Sequence, residues 1–241
     1  MLGFVLLGVG SGSNGLSSAF QSAFNFGSSG GTSISSLQKK VDKHPTDATA
    51  WRDLATAYET KQRTQDAINA LERFTALRPK NTDALGELAS QYLTLAQGYA
   101  SDYTNAQSEA TAASPSTALA PAAGTVFGKI FSDPKGLQDP IGAVATQAAQ
   151  QKAQTAYTSY QSAQSSAEQT FQRLAKLTPK DVTVQYQLGQ AAQQAGDSAT
   201  AITAYKTFLT LSPNDVDAPQ VKQLLKSAQA QAATASSQTA G

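Results

Sequence analysis

Between residues 45 and 98 the apolar side chains fall at helical steps. Trp51, Leu54 and Tyr58 stand at i, i+3 and i+7, one stripe on one helix, and Ala67, Leu71 and Phe74 follow on a second. The alternation returns after residue 165, with Leu188, Gly189 and Ala192 and then Ala201, Tyr205 and Phe208. Small residues, Ala55, Ala67, Gly189 and Ala201, sit where helix axes must approach closely. A helix pair of this kind leaves an apolar face uncovered, so it needs stacked copies. Four Pro-x-(Asp/Asn) triplets punctuate the chain: Pro45-Thr46-Asp47, Pro79-Lys80-Asn81, Pro179-Lys180-Asp181 and Pro213-Asn214-Asp215. Proline closes the preceding helix, and Asp or Asn two residues later predicts the N-cap of the next. Pro45 and Pro79 are 34 residues apart, as are Pro179 and Pro213, whereas 100 residues separate Pro79 from Pro179. One helix pair therefore carries about 66 additional residues beyond the 34-residue period.

Within the first and last pairs, Thr64 and Ser198 are expected to cap the second helix, with Gly196 ending the helix before it. In the middle pair the same places hold Ala96 and Gln164, and neither stops a helix, so both helices are predicted to run on. Leu85, Leu88, Tyr92, Leu95, Tyr99, Tyr103, Ala106 and Ala110 continue an outgoing seam; Val144, Ala148, Ala153, Tyr157, Tyr160, Ala167, Phe171 and Leu174 form the return. The extra residues thus predict an antiparallel helical hairpin of about 20 residues, roughly 30 Å, per arm. Its arms are joined by residues 114–140, a loop holding four of the nine prolines. Tyrosines 92, 99, 103, 157 and 160 are expected to fill an otherwise alanine-thin seam, with a binding face as the alternative. Inside the loop, Val126, Phe127, Ile130 and Phe131 either fold back on the arms or form an exposed apolar tip.

The ends read as appendages. Residues 1–10 are apolar and uncharged, too short to span a bilayer and lacking the basic region of a secretory signal. They are either the tail of a signal anchor, which would make the repeats membrane-tethered or extracytoplasmic, or a local apolar tail on a cytoplasmic chain. A Gly/Ser-rich tether completes residues 1–32. A lone helix over Ser33 to Lys43 caps the first pair through Leu37; its lysines 39, 40 and 43 read as a solvated face. A final helix, about Ala218 to Ala230, caps the last pair through Val221, Leu224 and Leu225, and residues 232–241 read as a disordered tail.

Composition narrows the chemistry. Among 241 residues the net charge is +1, and neither residues 33–98 nor residues 165–241 hold a basic excess above one, so no nucleic-acid partner is expected. With no cysteine and a single histidine, His44 at a helix end, the chain offers no thiolate or imidazole metal site and no Cys nucleophile. No phosphate-binding Gly loop, metal-ligand spacing or nucleophile–base pair is found. An enzyme is not expected, nor a cofactor or a metal.

The period and its residues resemble the tetratricopeptide repeat (TPR) family. The pattern positions are Trp51, Leu54, Ala55, Tyr58, Ala67, Leu71, Phe74 and Pro79 in the first copy. Leu188, Gly189, Ala201, Tyr205, Phe208 and Pro213 carry it in the last, with Gln185 and Ala192 where tryptophan and tyrosine are usual. A split copy has Leu85, Leu88, Ala89 and Tyr92 before the extra residues and Ala167, Phe171, Leu174 and Pro179 after them. The resemblance implies an all-α, right-handed α-solenoid: residues 33–98, then an inserted hairpin 99–164, then residues 165–231. It also implies a concave groove for an extended peptide or a partner helix, lined by Thr49, Arg52, Thr56, Glu59, Asp83, Ser90, Tyr186, Gln190 and Gln193. Arg52 is the one cation among these, and Thr56 and Ser90 stand where the family's carboxylate clamp wants asparagine, so binding of acidic C-termini is not implied. The expected role is a non-catalytic interaction scaffold for a protein or peptide partner. The alternative is a structural or assembly protein of the cell envelope that oligomerises through the hairpin and its apolar tip.

Overall fold

The computed structural model describes residues 33–113, 125–126 and 140–239. Within them the chain is helix and turn, with no strand. In chain order the helices are α1 (Ile34–Lys43), α2 (Ala48–Thr60), α3 (Thr64–Leu77), α4 (Thr82–Ala113), α5 (Pro140–Leu177), α6 (Val182–Ala195), α7 (Ser198–Leu211) and α8 (Ala218–Thr239). They form an α-solenoid in which α2/α3, α4/α5 and α6/α7 are successive antiparallel pairs, with α1 and α8 covering the ends.

Three of the four proline-led triplets act as foreseen. Asp47 accepts the amide of Ala50 at 3.1 Å, Asn81 that of Ala84 at 2.9 Å and Asp181 that of Val184 at 3.1 Å. The fourth differs, because Asp215 takes the amide of Asp217 at 3.0 Å and the Ser212 hydroxyl at 3.2 Å. The chain therefore turns once more before α8 starts at Ala218, with Pro219 in its first turn, where a missing N–H costs nothing.

The caps inside the pairs lie one residue earlier than Thr64 and Ser198. Asp197 is the N-cap of α7, accepting from the amide of Thr200 at 3.0 Å and its hydroxyl at 2.6 Å. Arg63 precedes α3 and caps with no side chain; its guanidinium bonds Asp66 at 2.7 Å and lies 4.8 Å above the Tyr58 ring. Just ahead of these caps the backbone swings left-handed in both pairs, at Gln62 (φ 55°) and Gly196 (φ 87°). Glycine adopts that conformation freely and glutamine under strain.

Small residues decide how closely the paired helices approach. Ala55 packs in one core with Leu71, Ala89 with Phe171, and Gly189 against Tyr205, at the same two repeat positions each time. Where the second-helix side chain is tyrosine, the first-helix residue is glycine, and a Cβ on Gly189 would run into the Tyr205 ring. Leu37 and Val41 of α1 close the first core, and Val221 and Ala228 of α8 close the last.

In the middle pair, α4 and α5 pack antiparallel over most of their length in one unbroken register. Leu174 approaches Gly86, the rings of Tyr103 and Tyr157 stand 5.7 Å apart, and Lys152 bonds Glu109 at 3.0 Å. Residue numbers thus fall on α5 as fast as they rise on α4. At the solenoid end Leu85, Ala89, Phe171 and Leu174 share a core with Val184 and Leu188 of the next pair. Farther out the buried seam is alanine apart from Gln164: Ala96 and Ala106 on α4, and Ala149, Ala153, Ala156 and Ala163 on α5. The predicted return seam is therefore corrected near its start. Val144 is 66% exposed and Ala148 is exposed, while Ala149, one residue on, is buried. The tyrosines flank this seam, half-buried, and alanines fill it.

At the C-terminus α8 continues to Thr239, past the expected end at Ala230 and through most of the expected tail. The expectations for residues 1–32, for the loop apart from residues 125–126 and 140, and for Phe127, Ile130 and Phe131 lie outside the described residues. Val126 is 76% exposed. Among the described residues no helix is long and apolar enough to cross a membrane.

Candidate functional site

Arg52 and Glu59 stand two turns apart on α2, and Glu87 and Gln91 one turn apart on α4, so the two pairs meet where the first helices of neighbouring units lie side by side. Arg52 Nη1 lies 2.5 Å from Glu87 Oε2, and Gln91 Nε2 donates to Glu59 Oε1 at 3.2 Å. The Arg52 guanidinium also stands 6.0 Å from the centre of the Phe74 ring. Glu87 is only 7% exposed, and its Oε1 has no donor when both carboxyls are ionised. Burial and the adjoining Glu87 carboxyl raise the Glu59 pKa to about 8, against the opposing pull of Arg52 and Gln91. Glu59 is therefore largely protonated near neutrality, and its O–H serves the Glu87 carboxylate.

The remaining residues of the expected groove fall into two sets. Thr49, Asp83 and Ser90 are exposed on the first helices of units one and two; Ser90 turns its hydroxyl back to the Gly86 carbonyl at 2.9 Å, as Thr56 does to Arg52 at 3.2 Å. On α6, Tyr186, Gln190 and Gln193 are half-buried, and α8 engages two of them. Gln220 donates to the Tyr186 hydroxyl at 3.3 Å, and Gln193 donates to Ser227 at 3.3 Å while accepting from the Tyr205 hydroxyl at 2.9 Å. Tyr186 also packs near Phe208 with the rings tilted by 50° and their centres 5.8 Å apart. Arg52 and Glu59 are thus gathered into one charged cluster, and Tyr186 and Gln193 into a separate uncharged one.

Sequence reasoning missed Glu87 and Gln91. Their signal is an offset: Glu87 lies one repeat and one residue after Arg52, which is where adjoining first helices touch. It also missed a second carboxyl contact. Glu168 of α5, 7% exposed, meets Asp197 at the start of α7, and Gln172 donates to Glu168 Oε1 at 2.7 Å. Burial and the Asp197 carboxyl raise Glu168 to about 7. Burial would raise Asp197 too, but the hydroxyl and amide of Thr200 outweigh it and hold Asp197 below the ordinary range. Among the described residues no group of three His, Cys, Asp or Glu is placed to hold a metal ion.

One tetratricopeptide repeat family model matches residues 42–90 and another matches residues 165–216. No curated protein matches the chain. The matched stretches hold the first pair with the base of α4, and the base of α5 with the last pair, which are the helices whose capping, spacing and small-to-large packing are described above. Residues 42–90 and 165–216, on either side of the long α4/α5 arms, are tetratricopeptide repeats.

Proposed function

We propose that the chain is a non-catalytic scaffold that takes a peptide or partner helix along the face built by α2, α4 and α6. Tetratricopeptide repeats generally serve protein–protein interaction. The observation that carries the reading to this face is the ladder of polar groups between α2 and α4, flanked by exposed Thr49, Asp83 and Ser90. Arg52, Thr56 and Glu59 supply its floor, and Tyr186, Gln190 and Gln193 continue it. Hydrogen bonding with little net charge suits a segment read through its backbone and neutral side chains.

Arg52 is a poor residue for the test, since removing it leaves Glu87 buried and unpaired. A photo-crosslinking residue at exposed positions 49, 83 or 90 should capture partner protein from the cells that express the chain. The same residue at Arg73 or Thr203, exposed on second helices, should not. Equal capture from both sets removes the assignment.

A second reading, assembly of an envelope structure through the hairpin, is favoured by Val126 and Val144. These are 76% and 66% exposed, Val144 in the first turns of α5. Sedimentation of the full chain against Val126→Asp/Val144→Asp decides it: an oligomer that the double variant dissociates supports assembly, and a monomer in both excludes it. Tethering to a membrane through residues 1–10 belongs to the scaffold reading, and flotation of the chain with vesicles before and after removal of those residues tests it.

A further inference from the structure

Two carboxyl contacts recur in the solenoid, one at each junction between consecutive units. Glu59 and Glu87 join α2 of the first unit to α4 of the second, and Glu168 and Asp197 join α5 of the second to the start of α7 in the third. In both, the helices brought together are not consecutive in the chain, so side chains at the contact hold them. In both, one carboxyl is more than nine-tenths buried, since Glu87 and Glu168 are each 7% exposed. In both, a glutamine amide braces the pair: Gln91 on Glu59 and Gln172 on Glu168. Gln172 also reaches Thr200 across the second junction at 3.5 Å.

Two carboxylates in contact repel each other, and a single proton turns the repulsion into a hydrogen bond. The charged groups acting on Glu59 are Arg52 from its own helix and Glu87 from α4. One arginine neutralises one carboxylate, so the second must carry a proton for the junction to be neutral. The charged group acting on Glu168 is Asp197, whose other acceptor capacity is taken by Thr200. There no cation intervenes, and the proton alone separates attraction from repulsion.

We propose that these contacts are proton-held latches between consecutive repeat units, closed in mildly acidic solution and released in mildly alkaline solution. Release changes the spacing of α2 and α4, and with it the face on which Thr49 and Ser90 lie. The direction follows from linkage. Glu59 and Glu168 hold their protons to higher pH in the folded chain than the ordinary value of 4.5. Each latch therefore contributes fully below that value and loses its contribution as pH rises, by about 7 for Glu168 and about 8 for Glu59. The latches do not depend on what, if anything, binds the groove.

The test is thermal unfolding of the full chain between pH 5.5 and 8.5, with His44→Gln in every variant so that the lone imidazole is absent. The melting temperature should fall by about 3–6 °C across that range. Glu59→Gln and Glu168→Gln keep a donor toward Glu87 and Asp197 without a titrating proton, so each should remove part of the fall and the double variant nearly all of it. Hydrogen exchange, corrected for its intrinsic pH dependence, should rise with pH in α2, the base of α4 and the start of α7 before it rises elsewhere. A fall of undiminished size in the double variant overturns the proposal. Should that variant not fold, carbon-13 titration of the glutamate carboxyls in the parent chain decides alone: two midpoints above pH 6 support the latches, and none above pH 5.5 overturns them.

Discussion

In the first helix pair Trp51 gives its indole N–H to the Pro45 carbonyl at 2.9 Å; in the last, Gln185 gives its amide to the Pro179 carbonyl at 3.1 Å. The two residues hold the same repeat position and satisfy the same orphan acceptor, yet one brings a large apolar ring and the other almost none. Around them the packing is redistributed. The first pair holds Ala55 with Leu71 and a buried Tyr58; the last holds Gly189 with Tyr205, and Ala192 where the first has tyrosine. The aromatic bulk has moved from the first helix to the second, and the glycine makes room for it. A repeat position therefore conserves a hydrogen bond or a total volume rather than a side chain.

Five substitutions break or sharpen this comparison, each read by urea unfolding of the whole chain. Trp51→Ala removes a ring packed between two clusters together with its hydrogen bond, and should cost about 3 kcal/mol. Gly189→Ala drives a methyl into the Tyr205 ring and should cost about 2 kcal/mol. Adding Tyr205→Leu, which copies the first pair, should recover most of that loss; strictly additive losses would show that the two positions do not share one volume. Gln185→Ala removes the hydrogen bond with little apolar area and should cost about 1 kcal/mol. A cost equal to that of Trp51→Ala would end the claim that the residues differ in bulk alone. Gln62→Gly places in the first turn the residue the last turn already has, and should stabilise by about 0.5 kcal/mol once unfolded-chain entropy is counted.

The stacking was legible in the sequence because proline and Asp/Asn recur at fixed intervals and each marks a boundary with a physical cause. The buried alanine phase was not. Where Ala148 and Ala149 adjoin, the hydrophobic contrast is nil, and nothing local says which faces the partner helix. The cap at Asp197 was hidden by Ser198 beside it, an equally good capping residue. Arg52 and Glu59 were legible as polar positions on a helix face, but their partners were not. Glu87 belongs to another unit, and a carboxyl on an amphipathic helix normally reads as solvated surface.

The α4/α5 pair belongs at once to the solenoid and to the projecting arm, with no break in either helix. From Leu85 to the end of α4 is about 40 Å at 1.5 Å per residue, and the helix is continuous over that length. The arm is thus a lever whose fulcrum is the middle repeat itself. A sideways push at its far end would act along α4 and α5 on the core of Leu85 and Phe171, midway between the two end units of the solenoid.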